Sequence, residues 1–146
     1  MDTSASQASV SVDALIRDRY YQKQMRILVV DDNSGVRTII QHWLARSGWK
    51  FVLTADGNEG VKQYLEQGPF DVVLTDVYHP GLDGLQLSKT IRGANDKQVI
   101  VVFSGGMSKA YTRSFQNLGI PILLRPIDMR RLVPFIARSV RHSAEN

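Results

Sequence analysis

The stretch Arg26-Ile-Leu-Val-Val-Asp-Asp-Asn33 decides how the rest of the chain reads. It is short, nearly all apolar and rich in β-branched residues, and it stops abruptly in two carboxylates. A run of that kind reads as a strand buried on both faces. Asp31 and Asp32 then project from the carboxyl end of a central strand, just ahead of an amphipathic helix. In open parallel α/β sheets ligands gather at that edge, where connections to neighbouring strands diverge. Two adjacent acids there suit a hard divalent cation, since Mg²⁺ prefers oxygen ligands. The plainer role of the same pair is to cap the next helix.

Outward from this strand, the alternation of strand and helix patterns runs five times. The first helix carries Val36, Ile39, Ile40, Trp43 and Leu44 on one face and closes at Gly48. A second strand is expected over 50–54. The helix after it is expected to start with Asn58 as cap, to turn Val61, Tyr64 and Leu65 inward, and to end at Gly68. The third strand, 71–75, ends at Asp76; a Pro80-Gly81 turn leads to a helix near 85–92. The fourth, 99–103, ends at Ser104-Gly105-Gly106 and precedes a weaker helix over 108–118, with Tyr111, Phe115 and Leu118 on one side. The fifth, 120–124, runs into Arg125-Pro126, and Asp128 caps a last helix over 129–141. Pro134 falls inside that helix, which calls for a kink or a late start. Five such units with short connections imply one parallel sheet covered by helices on both faces.

Composition sets limits on function. A chain of 146 residues, 43% hydrophobic and 22% charged, suits a single domain with a real core. No window approaches the roughly 20 apolar residues of a membrane span. The first ten residues lack the basic start and apolar middle of a signal peptide. Zero cysteines exclude disulfides and thiolate metal sites and fit a cytoplasmic protein. The net charge of +4 comes from scattered Lys and Arg, with no groove-reading motif, so nucleic acid is not an expected partner. Residues 1–24 read as an N-terminal extension: Ser/Ala/Gln-rich and disordered over 1–10, then a short helix over 11–24 with Val12, Leu15, Ile16 and Tyr20 on one face. Residues 25–146 form the folded domain.

At the strand ends stand Asp31 and Asp32, Asp76, Ser104 and Arg125. A parallel sheet brings these ends to one edge. Three carboxylates crowded there need countercharge: a divalent cation offsets two charges and Arg125 the rest. Ser104 adds a hydroxyl donor, and Gly105 and Gly106 let backbone amides approach a bulky anion. This set of groups suits binding and transfer of a phosphoryl group, with one carboxylate attacking in line. Taken singly, each residue has an ordinary structural role. Their convergence at one edge favours a site.

From about Arg26 to Arg141 the chain resembles the receiver domain of two-component response regulators. The motifs are the acidic pair in Val29-Val-Asp-Asp-Asn33, the segment Asp76-Val-Tyr-His-Pro-Gly-Leu-Asp-Gly84, Ser104 at the end of the fourth strand and a basic residue before Pro126. The resemblance implies a flavodoxin-like (βα)5 three-layer sandwich with strand order 2-1-3-4-5. It implies that Asp76 accepts phosphate from a phosphohistidine on a histidine kinase or phosphotransfer protein. Mg²⁺, with Mn²⁺ as an alternative, would be bound by Asp32 directly, by Asp31 through water, and by Asp76 and the carbonyl of Tyr78. Ser104 would bond a phosphoryl oxygen and draw its loop inward, and the peptide before Pro126 would be cis.

The chain departs from the family pattern at two places. Arg125 stands where the family has lysine; its planar fork is larger than an ammonium and alters the grip on phosphate. Leu123 stands where the reading expects an aromatic whose rotamer reports phosphorylation, so Ser104, Leu123 and Pro126 form the switch-related set. Tyr78 and Gly106 match positions flanking the hydrolytic water, and a bulky Tyr78 implies slow loss of phosphate. The expected function is a stand-alone phosphoacceptor in a His–Asp relay, a signalling protein that assists its own phosphotransfer and dephosphorylation. As a monomer or homodimer it would act on a downstream protein. The alternatives are a receiver-like binding module that takes no phosphate, a piece cut from a longer regulator, and a metal-dependent phosphatase. The phosphatase lacks a second aspartate, since Tyr78 occupies that position.

Overall fold

The computed structural model describes residues 24–126 and 128–145. Its elements are β1 (Arg26–Val30), α1 (Ser34–Arg46), β2 (Lys50–Thr54), α2 (Gly57–Gln67), β3 (Val72–Thr75), α3 (Gly84–Ala94), β4 (Ile100–Ser104), α4 (Lys109–Asn117), β5 (Ile122–Leu124), a 3-10 turn (Met129–Arg131) and α5 (Leu132–Glu145). The strands form one parallel sheet in the order β2-β1-β3-β4-β5, as the family resemblance implies. The expected helix over 11–24 lies outside the described residues, apart from Gln24.

The two faces of β1 explain its composition. Ile27 and Val29 join a cluster with Ile40 and Leu44 of α1 and Leu132, Val133 and Ile136 of α5. Leu28 and Val30 join a second cluster with Tyr64 of α2, Leu87 and Ile91 of α3 and Phe115 of α4. Because side chains alternate across a strand, a strand covered on both faces must be apolar at every position. Among the described residues no helix is long and apolar enough to cross a membrane.

Several local expectations need correction. The N-cap of α2 is Asp56, whose carboxylate accepts from the Glu59 amide; Asn58 lies inside the helix. Leu65 points outward, 68% exposed. The inward row of α2 is Gly57, Gly60 and Tyr64. A Cβ on Gly60 would come within 2.9 Å of Val30 Cγ2, so glycines set the buried face by letting the helix press against β1. Ile39 is 47% exposed, off the core-facing row of α1. β5 starts only at Ile122, after Pro121, which has no amide for a ladder. The last helix starts late: Asp128 caps the 3-10 turn, and Pro134 sits in the first turn of α5, where a missing N–H breaks no helical bond.

Candidate functional site

Strand register brings the acids together. Val30 pairs with Thr75, so the next residues, Asp31 and Asp76, emerge level with one another. The Asp76 amide donates to the Val30 carbonyl at 3.0 Å and the Asp31 amide to Thr54 O at 3.1 Å. One carboxylate oxygen from each of Asp31, Asp32 and Asp76 lies within 4.8 Å of the other two. Ser104 pairs with Leu124, which places Arg125 beside the same edge.

The acids differ in setting. Asp31 is 2% exposed, Asp32 is exposed and Asp76 is half-buried. Oδ1 of Asp31 accepts from the Asn33 amide at 2.9 Å, and Oδ1 of Asp76 from the Val77 amide at 2.7 Å. Burial pushes the Asp31 carboxyl above the usual carboxylate range; the Asn33 bond opposes this, and the charge on Asp76 reinforces it. Three oxygen donors this close, one with its charge disfavoured by burial, fit a hard divalent cation.

Arg125 supplies the protein's own countercharge. Its Nη2 lies 2.9 Å from Asp76 Oδ2 and 3.3 Å from Asp31 Oδ2, and also donates to the Phe103 carbonyl at 3.0 Å. The guanidinium carbon sits 4.8 Å from the centre of the Phe103 ring, a stacking that a lysine would not reproduce. Its buried Nε donates to nothing among the described residues. The Arg125–Pro126 peptide is cis.

Of the remaining candidates, Ser104 is buried at the edge, yet its hydroxyl is turned into its own loop, donating to Gly106 O at 3.1 Å and accepting from the Gly106 amide at 3.3 Å. Gly105 is exposed. Leu123 does not fit a reporter position. It packs with Phe103 in the α1/α5 cluster, whereas Ile122 packs in the cluster that holds Tyr111 and Phe115 of α4. Strand parity explains the correction, since neighbours on β5 face opposite layers. The residue under α4 is therefore Ile122, also aliphatic.

Some residues at the site carried no clear signal in the sequence. Arg37 Nη1 donates to the Asp31 carbonyl at 2.7 Å; the hint was a cation in the first turn of α1, where acids are favoured. The Thr75 hydroxyl donates to the Asp76 carbonyl at 2.7 Å and lies 3.0 Å from Nε2 of buried His79. Tyr78, 52% exposed, stacks on Tyr111, whose hydroxyl donates to Asp83 at 2.6 Å.

Comparison with known proteins agrees with this geometry. The DNA-binding transcriptional regulator NtrC of Salmonella typhimurium is 28% identical over 120 residues, covering 82% of this chain and 25% of that protein. The uncharacterized transcriptional regulatory protein YcbL of Bacillus subtilis is 26% identical over 120 residues, covering 81% of this chain and 52% of its own. The chain thus spans a quarter to about half of these curated relatives. The crystal structure of a CheY-like receiver domain protein from Methanospirillum hungatei JF-1 superposes with a TM-score of 0.78 at 21% identity, covering 84% of this chain and 98% of that one, and so supports the fold. Residues 27–137 match the response regulator receiver domain family, and the chain belongs to it.

Proposed function

We propose that this receiver domain is a phosphoacceptor in a His–Asp relay and that Asp76 carries the phosphoryl group. The observation that supports this most is the grouping of Asp31, Asp32 and Asp76, with Arg125 2.9 Å from the acceptor carboxylate. In the transfer, an Asp76 carboxylate oxygen attacks the phosphorus of a phosphohistidine. The phosphorus–nitrogen bond breaks, the imidazole leaves with the electron pair and takes up a proton, and an acyl phosphate remains on Asp76. The Val77 amide holds the other carboxylate oxygen in place during the attack. Mg²⁺ or Mn²⁺, held by Asp31, Asp32, Asp76 and the Tyr78 carbonyl, supplies positive charge against the phosphoryl oxygens when bound.

Arg125 then exchanges carboxylate partners for phosphoryl oxygens, with Nε as a further donor. Ser104 exchanges the Gly106 carbonyl for the phosphoryl group, which draws the β4–α4 loop inward and alters the surface offered to a downstream protein. The donor, a histidine kinase or phosphotransfer protein, approaches beside the acids. There Val36, Ile39, Phe103, Gly105, Pro126 and Met129 line an apolar depression of about 430 Å³, and Ile39 is already exposed to a partner. This reading makes the chain a cytoplasmic protein, with which a cysteine-free sequence is compatible.

One observation favours a second reading, a binding module that takes no phosphate. Arg125 already bridges Asp76 and Asp31, so the acceptor's charge is satisfied from within the protein. Incubation with acetyl phosphate and Mg²⁺, followed by intact mass, separates the two. The relay reading expects wild type to gain one phosphoryl mass and Asp76→Asn none. Wild type without that gain, and with amide NMR signals around Ser104 unmoved by beryllofluoride and Mg²⁺, leaves the binding module.

A further inference from the structure

The sheet edge opposite the acids carries a groove that the phosphoryl chemistry does not use. α5 has 14 residues and so runs about 21 Å, whereas β5, the strand it follows, has three and runs about 10 Å. The last turns of α5 therefore overhang the start of the sheet. There Phe135, Ser139 and His142, at the i, i+4 and i+7 positions of α5, line a depression of about 910 Å³ together with Val99, Leu118 and Pro121. Val99 leads into β4, and Leu118 and Pro121 lie between α4 and β5. Val99, Leu118, Pro121 and Phe135 are half-buried and make an apolar floor.

The walls of the groove are tied together. Arg92, in the last turn of α3, donates through Nε to Gln98 O at 2.8 Å and through Nη1 to Leu118 O at 3.0 Å. One guanidinium thus joins the end of α3, the approach to β4 and the end of α4, so the groove is formed in advance of any occupant. Its rim is basic, with Arg92, Lys97 and Arg138 against Asp96.

The chain itself arrives at this edge. All five strands are parallel, so β1 starts on the same side as β4 and β5. Only β3 and β4 separate β1 from β5, which puts their starts about 14 Å apart. The helix that the sequence predicts over 11–24 would span about 20 Å and reaches that far. Its stripe of Val12, Leu15, Ile16 and Tyr20 is bordered on a helical projection by Asp13 on one side and Asp18 on the other. A helix of this length is marginal alone, so such a stripe needs a surface. An apolar floor with a basic rim complements an apolar stripe with acidic borders. Arg19 falls within the stripe and would snorkel past the rim along its stem.

We infer that residues 11–23 dock in the groove between α5, the end of α4 and the approach to β4, with Val12, Leu15, Ile16 and Tyr20 on the apolar floor and Asp13 toward the basic rim. The segment then closes the C-terminal half of α5 to other proteins, and a partner of that face must displace it. The acids at the opposite edge stay open, so the inference stands apart from the phosphoacceptor reading.

The test uses the full chain. Because it has no cysteine, Ala14→Cys carries a single nitroxide, on the side of the predicted helix away from the stripe. In isotope-labelled protein the nitroxide should strip most of the intensity from the amide NMR signals of Gly119, Ser139 and His142. Those of Gly81 and Gly105, at the acid edge, should keep theirs. Adding Leu15→Asp and Ile16→Asp to the labelled chain should restore the groove signals, since charge on the stripe opposes burial. Groove signals that keep their intensity in the first experiment overturn the inference, and so does a loss that survives the two aspartates. Mixing nitroxide-bearing chains with separate isotope-labelled chains should leave every signal intact. A loss in that mixture puts the segment of a second copy in the groove and overturns docking within one chain.

Discussion

At the β1–β3 side of the pocket every strand is hydrogen-bonded on both edges, whereas at the β4–β5 side the sheet runs out. Asp31 and Asp76 follow strands flanked on each side and are themselves bonded to the sheet, the Asp31 amide to Thr54 O and the Asp76 amide to Val30 O. The loop after β3 is tied to two helix starts, the Gly84 amide donating to Val77 O and the Gly57 amide to Pro80 O. β5 is three residues long, pairs among the described residues only with β4, and leaves Leu124 58% exposed. The loop that carries Ser104, Gly105 and Gly106 is held chiefly by bonds within itself and by the Arg125 amide on Ser104 O. The difference suits a division of labour. On the phosphoacceptor reading proposed above, the acids must stay aligned for chemistry, and the hydroxyl and guanidinium must travel to a phosphoryl group. Local stability tends to be lowest in the parts that move.

The largest expected effect breaks the comparison from its rigid side. A Cβ on Gly84 would lie 2.3 Å from the Asp76 carbonyl oxygen and 2.9 Å from Val77 Cα, both backbone atoms with little freedom to yield. Gly84→Ala is therefore expected to cost about 3 kcal/mol in urea unfolding, at the upper end of overpacking penalties. A loss below about 0.5 kcal/mol would show that the 76–84 loop yields as readily as the other one.

How much of this was readable from residues alone depends on the physics of each part. The acid edge was readable because apolar runs stopped by aspartates mark both a strand and its end, and register then follows from the fold class. Asp31, Asp32, Asp76 and Arg125 come together as expected. The inward face of α2 was not, because glycines define it, and a pattern search counts Leu65 as core when it is solvent-facing. Leu123 was assigned to a reporter role that strand parity denies it. The Tyr111–Asp83 bond joins residues 28 apart in sequence, and no local signal links a phenol on one helix to the cap of another.

A middle-sized effect sharpens the electrostatic side of the comparison. Burial raises the Asp31 carboxyl above its ordinary range, with Asp76 adding to the shift and the Asn33 amide and Arg125 opposing it. A carboxyl with a raised folded pKa binds its proton more tightly in the fold. Its contribution to stability is thus fully present below the unfolded pKa and is lost as the pH rises through the folded one. Asp31→Asn removes that loss. In protein freed of divalent ions, it is expected to raise stability by about 1 kcal/mol at pH 7, the scale of one relieved like-charge contact. The gain should fade as the pH drops below the ordinary carboxylate range, where both states of the wild type are protonated. Destabilisation at pH 7 would mean that the pair with Arg125 outweighs burial, and that the rigid side is held by attraction rather than strained by its own charge.

The smallest effect belongs to the loose side, and its sign carries the argument. Gly105 has no heavy atom within 4 Å of where a Cβ would stand, and its φ is not among the positive ones. Alanine there meets no clash and no backbone penalty. It also narrows the conformations open to the unfolded chain, which favours folding by up to about 1 kcal/mol at a compatible site. Gly105→Ala should therefore leave stability unchanged or slightly raised. The same exchange of glycine for alanine is thus expected to unsettle the loop behind Asp76 and to firm the loop behind Ser104. If the firmer loop must still close on a phosphoryl group, the gain in stability should come with slower uptake from acetyl phosphate. Unchanged uptake would place the motion in Arg125 and the Ser104 side chain rather than in the backbone that carries them.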